Sequence, residues 1–342
     1  MADKLITYAI PCYNSAGYMD TCIESILACG ASDIEVVIVD DGSTKDNTYE
    51  KALAWQRDYP DIVKAVHQEN GGHGAAVMTG LAHASGLYFK VVDSDDWVDE
   101  AAFQKALGRL RSLEAEGRGV DLLVTNYIYD KVELGRKREI HYKHAFRENE
   151  VLTWDEVRRF RPWENLLMHA LIYRTEVLRK SGLDLPKHTF YVDNLYCSVP
   201  LASVESLYYM DLGLYHYFIG REGQSVQEET MIRRIDQQIR VNKLMMDQLD
   251  LEHVPNERQR ETIFHYHDMI TTVTSIMLIL GGTPEHLAKK DELWEYIRTA
   301  HPWEYNKLRW SLFGITMNLP GRLGRRIAVL CYRIANRIFS FN

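Results

Sequence analysis

From Leu5 to Phe218 short apolar runs alternate with segments of helical period, and the runs end repeatedly in polar or acidic residues. Leu5 to Ile10 predicts a strand, ended by Pro11-Cys12-Tyr13-Asn14, because proline cannot donate to a sheet ladder and asparagine favours turns. Met19, Ile23, Ile26 and Leu27 fall at helical spacing, with Gly30 placed to stop that helix. Ile34 to Val39 is nearly all β-branched, the composition of a strand buried on both faces of a parallel sheet. It ends in Asp40-Asp41-Gly42-Ser43, after which Ser43 or Asp46 can cap a helix reaching Trp55. Ile62 to His67 predicts a third strand, and Asn70-Gly71-Gly72-His73-Gly74 turns into a helix from Ala75 to Ala84.

The run from Tyr88 to Val92 predicts the fourth strand and breaks into Asp93-Ser94-Asp95-Asp96; a helix from Glu100 and a strand from Leu122 to Tyr129 follow. This alternation predicts an α/β fold with a parallel, doubly wound sheet flanked by helices. Loops at the strand ends of such a sheet converge, so Pro11 to Asn14, Asp40 to Ser43, Asn70 to Gly74 and Asp93 to Asp96 should line one crevice. Carboxylates concentrated there suggest a divalent cation, whereas Asp96 or Asp99 taken alone reads as a helix cap. Lys131 to Glu150 reads as a surface loop or β-excursion, Trp154 to Lys180 as helical, Tyr191 to Asn194 as the opening of a helix, and Leu207 to Phe218 as an aromatic strand. Beyond Glu228 the pattern is helical only, which divides the chain into an α/β domain, 1–227, and a helical C-terminal domain, 228–342.

The formal net charge of -8 argues against a general nucleic-acid binder, which needs a basic face to displace counterions. The five cysteines form no Cys-x-x-Cys pair, as expected of reduced, cytoplasmic thiols, and no signal-peptide pattern opens the sequence. The apolar stretch around Met269 to Leu280 is broken by Thr271, Thr272, Thr274 and Ser275 and reads as a buried helix. No acid follows Glu304, while Lys307, Arg309, Arg322, Arg325, Arg326, Arg333 and Arg337 all do. Over about 321–341, Leu323, Ile327, Leu330, Ile334 and Ile338 recur at helical spacing with arginines between them. That is the pattern of an amphipathic helix on an anionic membrane surface, or of one docked on the protein or joining copies into a homo-oligomer.

Several nucleotide and metal devices are absent. Val98 occupies the sixth position from Asp93, where an EF-hand loop needs glycine, and neither a dinucleotide fingerprint nor a Walker loop follows the first strand. Ile10-Pro11-Cys12-Tyr13-Asn14, Val39-Asp40-Asp41-Gly42-Ser43-Thr44, Asn70-Gly71-Gly72-His73-Gly74-Ala75-Ala76 and Asp93-Ser94-Asp95-Asp96, in this order, resemble the motifs of family 2 glycosyltransferases with a GT-A fold. The resemblance covers roughly Leu5 to Ser225.

The resemblance implies inverting transfer of a sugar from a UDP-sugar, with Mn²⁺ or Mg²⁺, to a hydroxyl of a cell-surface polysaccharide, teichoic-acid-like or lipid-linked glycan. It implies that Pro11, Tyr13 and Asn14 border the nucleotide, that Asp41 with Asp40 meets the uracil edge, and that Asn70 and Gly72 form the loop beside base and ribose. Asp93 with Ser94 would face ribose and sugar, Asp95 would ligate the metal, and Asp193 would be the base, unless it is simply a helix cap. His216 matches a histidine that ligates metal in relatives, or is a packed strand residue; Arg221 and Ser225 match phosphate contacts. Many relatives carry an arginine-asparagine pair after the Asn-Gly-Gly loop; Val77-Met78 stands here, with His73 as a substitute contact. Trp163, His169, His188 and Tyr191 suit an acceptor cleft or the core, and His265-Tyr266-His267 is not a metal pair, since its histidines fall on different helix faces. A nucleotidyltransferase of the same fold and a non-catalytic scaffold of a polysaccharide assembly are the alternatives, and the reading places the protein in the cytoplasm, on the inner face of the cell membrane if the last helix binds lipid.

Overall fold

The structure, a computed structural model, describes residues 4–131, 136–219 and 227–339. The chain divides into two compact units, one of residues 1–158 with 166–221 and one of 159–165 with 222–342.

The first unit carries β1 (Ile6–Cys12), α1 (Met19–Leu27), β2 (Ile34–Asp40), α2 (Thr48–Asp58), β3 (Val63–His67), α3 (His73–His83), β4 (Tyr88–Val91), β5 (Trp97–Val98), α4 (Glu100–Ala115), β6 (Leu122–Lys131), β7 (Arg136–Ile140), β8 (Val151–Leu152), β9 (Leu171–Arg174), α5 (Thr175–Lys180), α6 (Asp193–Ser198) and β10 (Leu207–Phe218). The sheet order is β3-β2-β1-β4-β9-β6-β10-β5, with β7 on β6 and β8 on β10. β1 to β4 run parallel, as their β-branched composition predicts, but β9 lies antiparallel between β4 and β6, so the sheet is mixed.

Two local expectations need correction. Pro11 does not end β1: the strand runs to Cys12, and Pro11 pairs with Val39 beyond the last β4 pair, Ala9 with Val91, where the strand has a neighbour on one side only. Residues 154–180 are not one helix. They form short turns at Trp154–Glu156 and Met168–Ala170, then β9 and α5, because Leu171-Ile172-Tyr173 fills the sheet between two waiting strands and tertiary pairing overrides the helical period.

β2 is buried nearly throughout, and α3 packs so closely on β1 that a Cβ on Gly80 would lie 2.7 Å from the Ala9 Cβ. That contact is open only to glycine and brings the first turn of α3 down onto the strand ends.

The second unit carries α7 (Glu228–Arg233), α8 (Ile235–Asp247), α9 (Glu257–Gly281), α10 (Pro284–Ala300), α11 (Pro302–Trp310), α12 (Leu312–Met317) and α13 (Gly321–Phe339). α9 is its axis: Asn256 caps it, Gly282 stops it in the left-handed region, and Ile276 to Ile279 form a core with Ile235, Met317 and Ala328. By length and composition α9 could cross a membrane, yet 61% of its apolar window is buried in the protein.

Candidate active site

The strand ends form a network that fixes four loops. Asn14, at φ +52°, has its amide donating to Ser43 Oγ at 2.8 Å, while its Oδ1 accepts from the amides of Thr44 and Lys45 at 3.1 and 3.0 Å. Ser94, buried, hydrogen-bonds Ser15 Oγ at 2.9 Å. Asp40 is wholly buried against His67 Nδ1 at 2.6 Å. Pro11 is buried within β1, and Tyr13 remains open to solvent at the rim.

Asp41 accepts four hydrogen bonds, from Gln68 Nε2 at 2.7 Å, Gly71 N at 2.8 Å, Gly72 N at 2.8 Å and Asn70 Nδ2 at 3.1 Å. These donors fill the acceptor sites of a carboxylate, so the group that the resemblance directs to the uracil edge is engaged in shaping the Asn70–Gly72 loop. Gly72, at φ +85°, passes beneath His188, whose amide donates to Gly71 O at 2.6 Å. His188 and Tyr191 themselves hold positive φ, and this strained segment delivers Asp193 to the crevice.

Asp193 is the first residue of α6; the N-cap position is Val192, and no side-chain hydrogen bond caps the helix. Burial pushes the Asp193 carboxyl above its ordinary value, with His73 pulling it back and Asp93 adding to the rise. His73, in the first turn of α3, bonds Asp93 Oδ1 through Nε2 at 2.8 Å. Burial opposes its protonation, but Asp93, and more weakly Asp193 and Asp95, raise its pKa. Asp93 in turn is held below its ordinary value: burial resists ionisation, and His73, His169 and Lys90 overcome it.

Asp96 is not a helix cap; Asp99 caps α4 by accepting from the Ala102 amide. Asp96 is 1% exposed and accepts from Tyr215 OH at 2.5 Å and the Phe218 amide at 2.8 Å, which ties the acidic loop to β10. His169 lies beside it, ringed by Tyr127, Tyr215 and Tyr217 with centroids 5.5, 4.7 and 4.5 Å away. It is 8% exposed, neither ring nitrogen has a hydrogen-bond partner, and burial pushes its pKa down to about 4, so it is a neutral imidazole with free lone-pair capacity. One ligand atom each from Asp93, Asp96 and His169 lie within 4.8 Å of one another. Buried imidazole nitrogens without partners are costly, and two carboxylates beside them make a donor set that fits a divalent cation.

Other candidates fall elsewhere. Asp95 sits half-buried on the same loop but outside that grouping. His216 is buried, hydrogen-bonded to Asp130 Oδ2 at 3.1 Å and stacked on Trp97, which is the packed strand histidine of the alternative reading. Arg221 and Ser225 lie outside the described residues. The sequence left Lys90 without a role, although a lysine inside an apolar strand run is itself a signal. It is 0% exposed, its Nζ donates to the His169 carbonyl at 2.7 Å, and burial pushes its pKa down to about 7 while Asp93 works against that shift.

Comparison with known proteins bears on the family and the fold. The family model "Glycosyl transferase family 2" matches residues 7–174. EpsJ of Bacillus subtilis (strain 168), a curated but uncharacterized glycosyltransferase, is 29% identical over 225 residues, covering 62% of this chain and 60% of that protein. Among solved structures, S. aureus TarS 1-349 in complex with UDP-GlcNAc superposes with a TM-score of 0.64 at 18% identity, covering 96% of this chain and 89% of that one. The mannosyltransferase PcManGT of Pyrobaculum calidifontis, in complex with GDP-Man and Mn²⁺, gives 0.51 at 15% identity, covering 95% and 86%. The structural likenesses speak to the GT-A fold, and the matched sequence places residues 7–174 alongside glycosyltransferase family 2.

Proposed function

We propose that the chain transfers a sugar, with inversion, from a UDP-sugar to a hydroxyl of a cell-surface or lipid-linked glycan, with Mn²⁺ or Mg²⁺ bound at the acidic loop. The observation that carries this reading is Asp193: a half-buried carboxyl at the start of α6, raised by burial and coupled through His73 to Asp93 across the crevice. A carboxylate with a raised pKa is a stronger general base, suited to take the proton of an acceptor hydroxyl as that oxygen attacks the anomeric carbon. Attack from the face opposite the departing diphosphate inverts the anomer. The TarS and PcManGT complexes described above hold nucleoside diphosphate sugars, which supports a donor of that class.

Asp93, Asp96 and His169 would hold the cation, with Asp95 on the same loop as the ligand the sequence suggests. Bound there, it would offset the negative charge that grows on the leaving diphosphate. The protein's own part is to place things: Asp41 fixes the 70–72 loop, Tyr215 and the Phe218 amide fix Asp96, and the strained 188–191 segment fixes Asp193. A thermal-shift screen with UDP-GlcNAc and other UDP-sugars, with and without Mn²⁺, tests the reading. Joint stabilisation by donor and metal, with slow donor hydrolysis, is expected. No response to any UDP-sugar with either metal, together with an unchanged result for Asp93→Asn, would overturn it.

A further inference from the structure

We propose that the outer face of α13 docks on an anionic phospholipid membrane surface. The helix is docked and exposed at once. On one side Ala328, Val329 and Tyr332 pack into the core formed with α9 and α12. On the opposite side Leu323 is 71% exposed, Ile327 42%, Leu330 59% and Ile334 50%. These four recur every three or four residues, which at 3.6 residues per turn makes one continuous apolar stripe. Arg322, Arg326, Arg333 and Arg337, all exposed, follow one flank of the stripe at the same period.

Exposing four large aliphatic side chains in a row on a helix already anchored by its other face has no value for stability, and such patches mark contact surfaces. The charges select the occupant. No acid follows Glu304 in the sequence, and Glu304 itself is buried against His267 at 2.6 Å, so nothing on this helix can pair with the arginines. A second copy laid antiparallel on the stripe, about a twofold axis perpendicular to the helix, would bring two arginine rows together, a like-charge arrangement that interfaces avoid. Anionic headgroups accept the arginines while the aliphatic stripe enters the acyl boundary, the arrangement of an interfacial helix. Nineteen residues with five arginines cannot span the bilayer. On α11 and α12, Trp310 and Leu312 are 70% and 76% exposed in the same unit, and tryptophan is enriched at membrane interfaces.

The test is sedimentation of the full chain with phosphatidylcholine vesicles and with vesicles that also contain phosphatidylglycerol. Binding to the anionic vesicles is expected, stronger by about tenfold or more than to neutral ones and weakened by salt. Leu323→Ser with Leu330→Ser, and separately Arg322→Gln with Arg326→Gln, should each lower that binding by about tenfold. All four positions are exposed, and an unchanged melting temperature and circular dichroism spectrum show that the variants fold. Equal affinity for neutral vesicles, or no vesicle binding at all, would overturn the proposal. So would a solution dimer that dissociates in the leucine variant without any vesicle binding, since the stripe would then be a contact between copies.

Discussion

The sheet unit and the helical unit break the ordinary rule of charge outside and apolar surface inside, and they break it in opposite senses. The sheet unit takes Asp40, Asp41, Lys90, Asp96 and His169 out of water. The helical unit ends in a helix that leaves Leu323, Leu330 and Ile334 in water. Burying a charge costs free energy that hydrogen bonds and partners must return, so it persists where a site needs fixed, tuned groups. Leaving an aliphatic side chain exposed forgoes stabilisation, so a whole row of them points to a surface that is covered in use. The first departure is chemical, the second associative, and substitutions should separate them.

The largest effect is expected at Asp193. Asp193→Asn keeps the shape and removes the base, so turnover with saturating donor should fall about 10²- to 10⁴-fold, the usual worth of a positioned general base. Donor affinity, measured by titration with a UDP-sugar, should stay within about threefold, because the proposed role of Asp193 is toward the acceptor. Equal loss of turnover and donor affinity would remove Asp193 from the role of base and return it to structure.

His169 comes next. Replacement by glutamine should weaken Mn²⁺ binding by at least the roughly 10- to 100-fold that even indirect supports of a metal site are worth. It should also abolish any nitrogen signature in the spin-echo spectrum of bound Mn²⁺. Retained nitrogen coupling would mean another histidine ligates, and unchanged affinity would leave the three-residue grouping a buried polar cluster without a cation.

Not every buried charge in the molecule is functional, and Asp268 supplies the control within the helical unit. It lies on α9, accepts from Ser311 Oγ at 2.8 Å, and burial pushes its pKa up to about 6 against the opposing effect of that hydrogen bond. Between the unfolded value and about 6 the folded state holds more protons than the unfolded one, so stability falls as pH rises through that window. Asp268→Asn should therefore raise stability at neutral pH by about 1–3 kcal/mol, a gain that disappears near pH 4. Thermal melts at the two pH values check it, and transfer should be unaffected.

The sequence made legible what depends on local composition. β2 could be read from its β-branched run, and the strand-end loops from Asp40 to Ser43 and Asp93 to Asp96 emerge where the doubly wound pattern puts them. β9 could not, because Leu171 to Arg174 becomes a strand only through its two neighbours in the sheet. The same limit hid the chemistry. His169 follows no motif; it meets Asp93 and Asp96 because a turn before β9 drops it among Tyr127, Tyr215 and Tyr217, contacts between residues far apart in the chain. Asp41 was visible as an acid at a strand end, but its four donors come from a loop about thirty residues later, and only their geometry turns it toward the loop.

The smallest effect on stability is the one that makes the two departures most distinct. Ile276 and Leu330 are both aliphatic residues of the helical unit, the first 2% exposed beneath α13 and the second 59% exposed on it. Ile276→Ala removes buried methylenes and leaves a cavity, so it should cost about 2–4 kcal/mol in denaturant unfolding. Leu330→Ser removes a comparable side chain that the folded protein never buries, and its cost should stay within about 0.5 kcal/mol. A large loss at Leu330 would mean that the stripe already supports the isolated fold, which removes the reason for seeking anything to cover it. A negligible loss leaves that leucine contributing nothing to the chain alone, so its worth can lie only in what the helix meets outside the molecule.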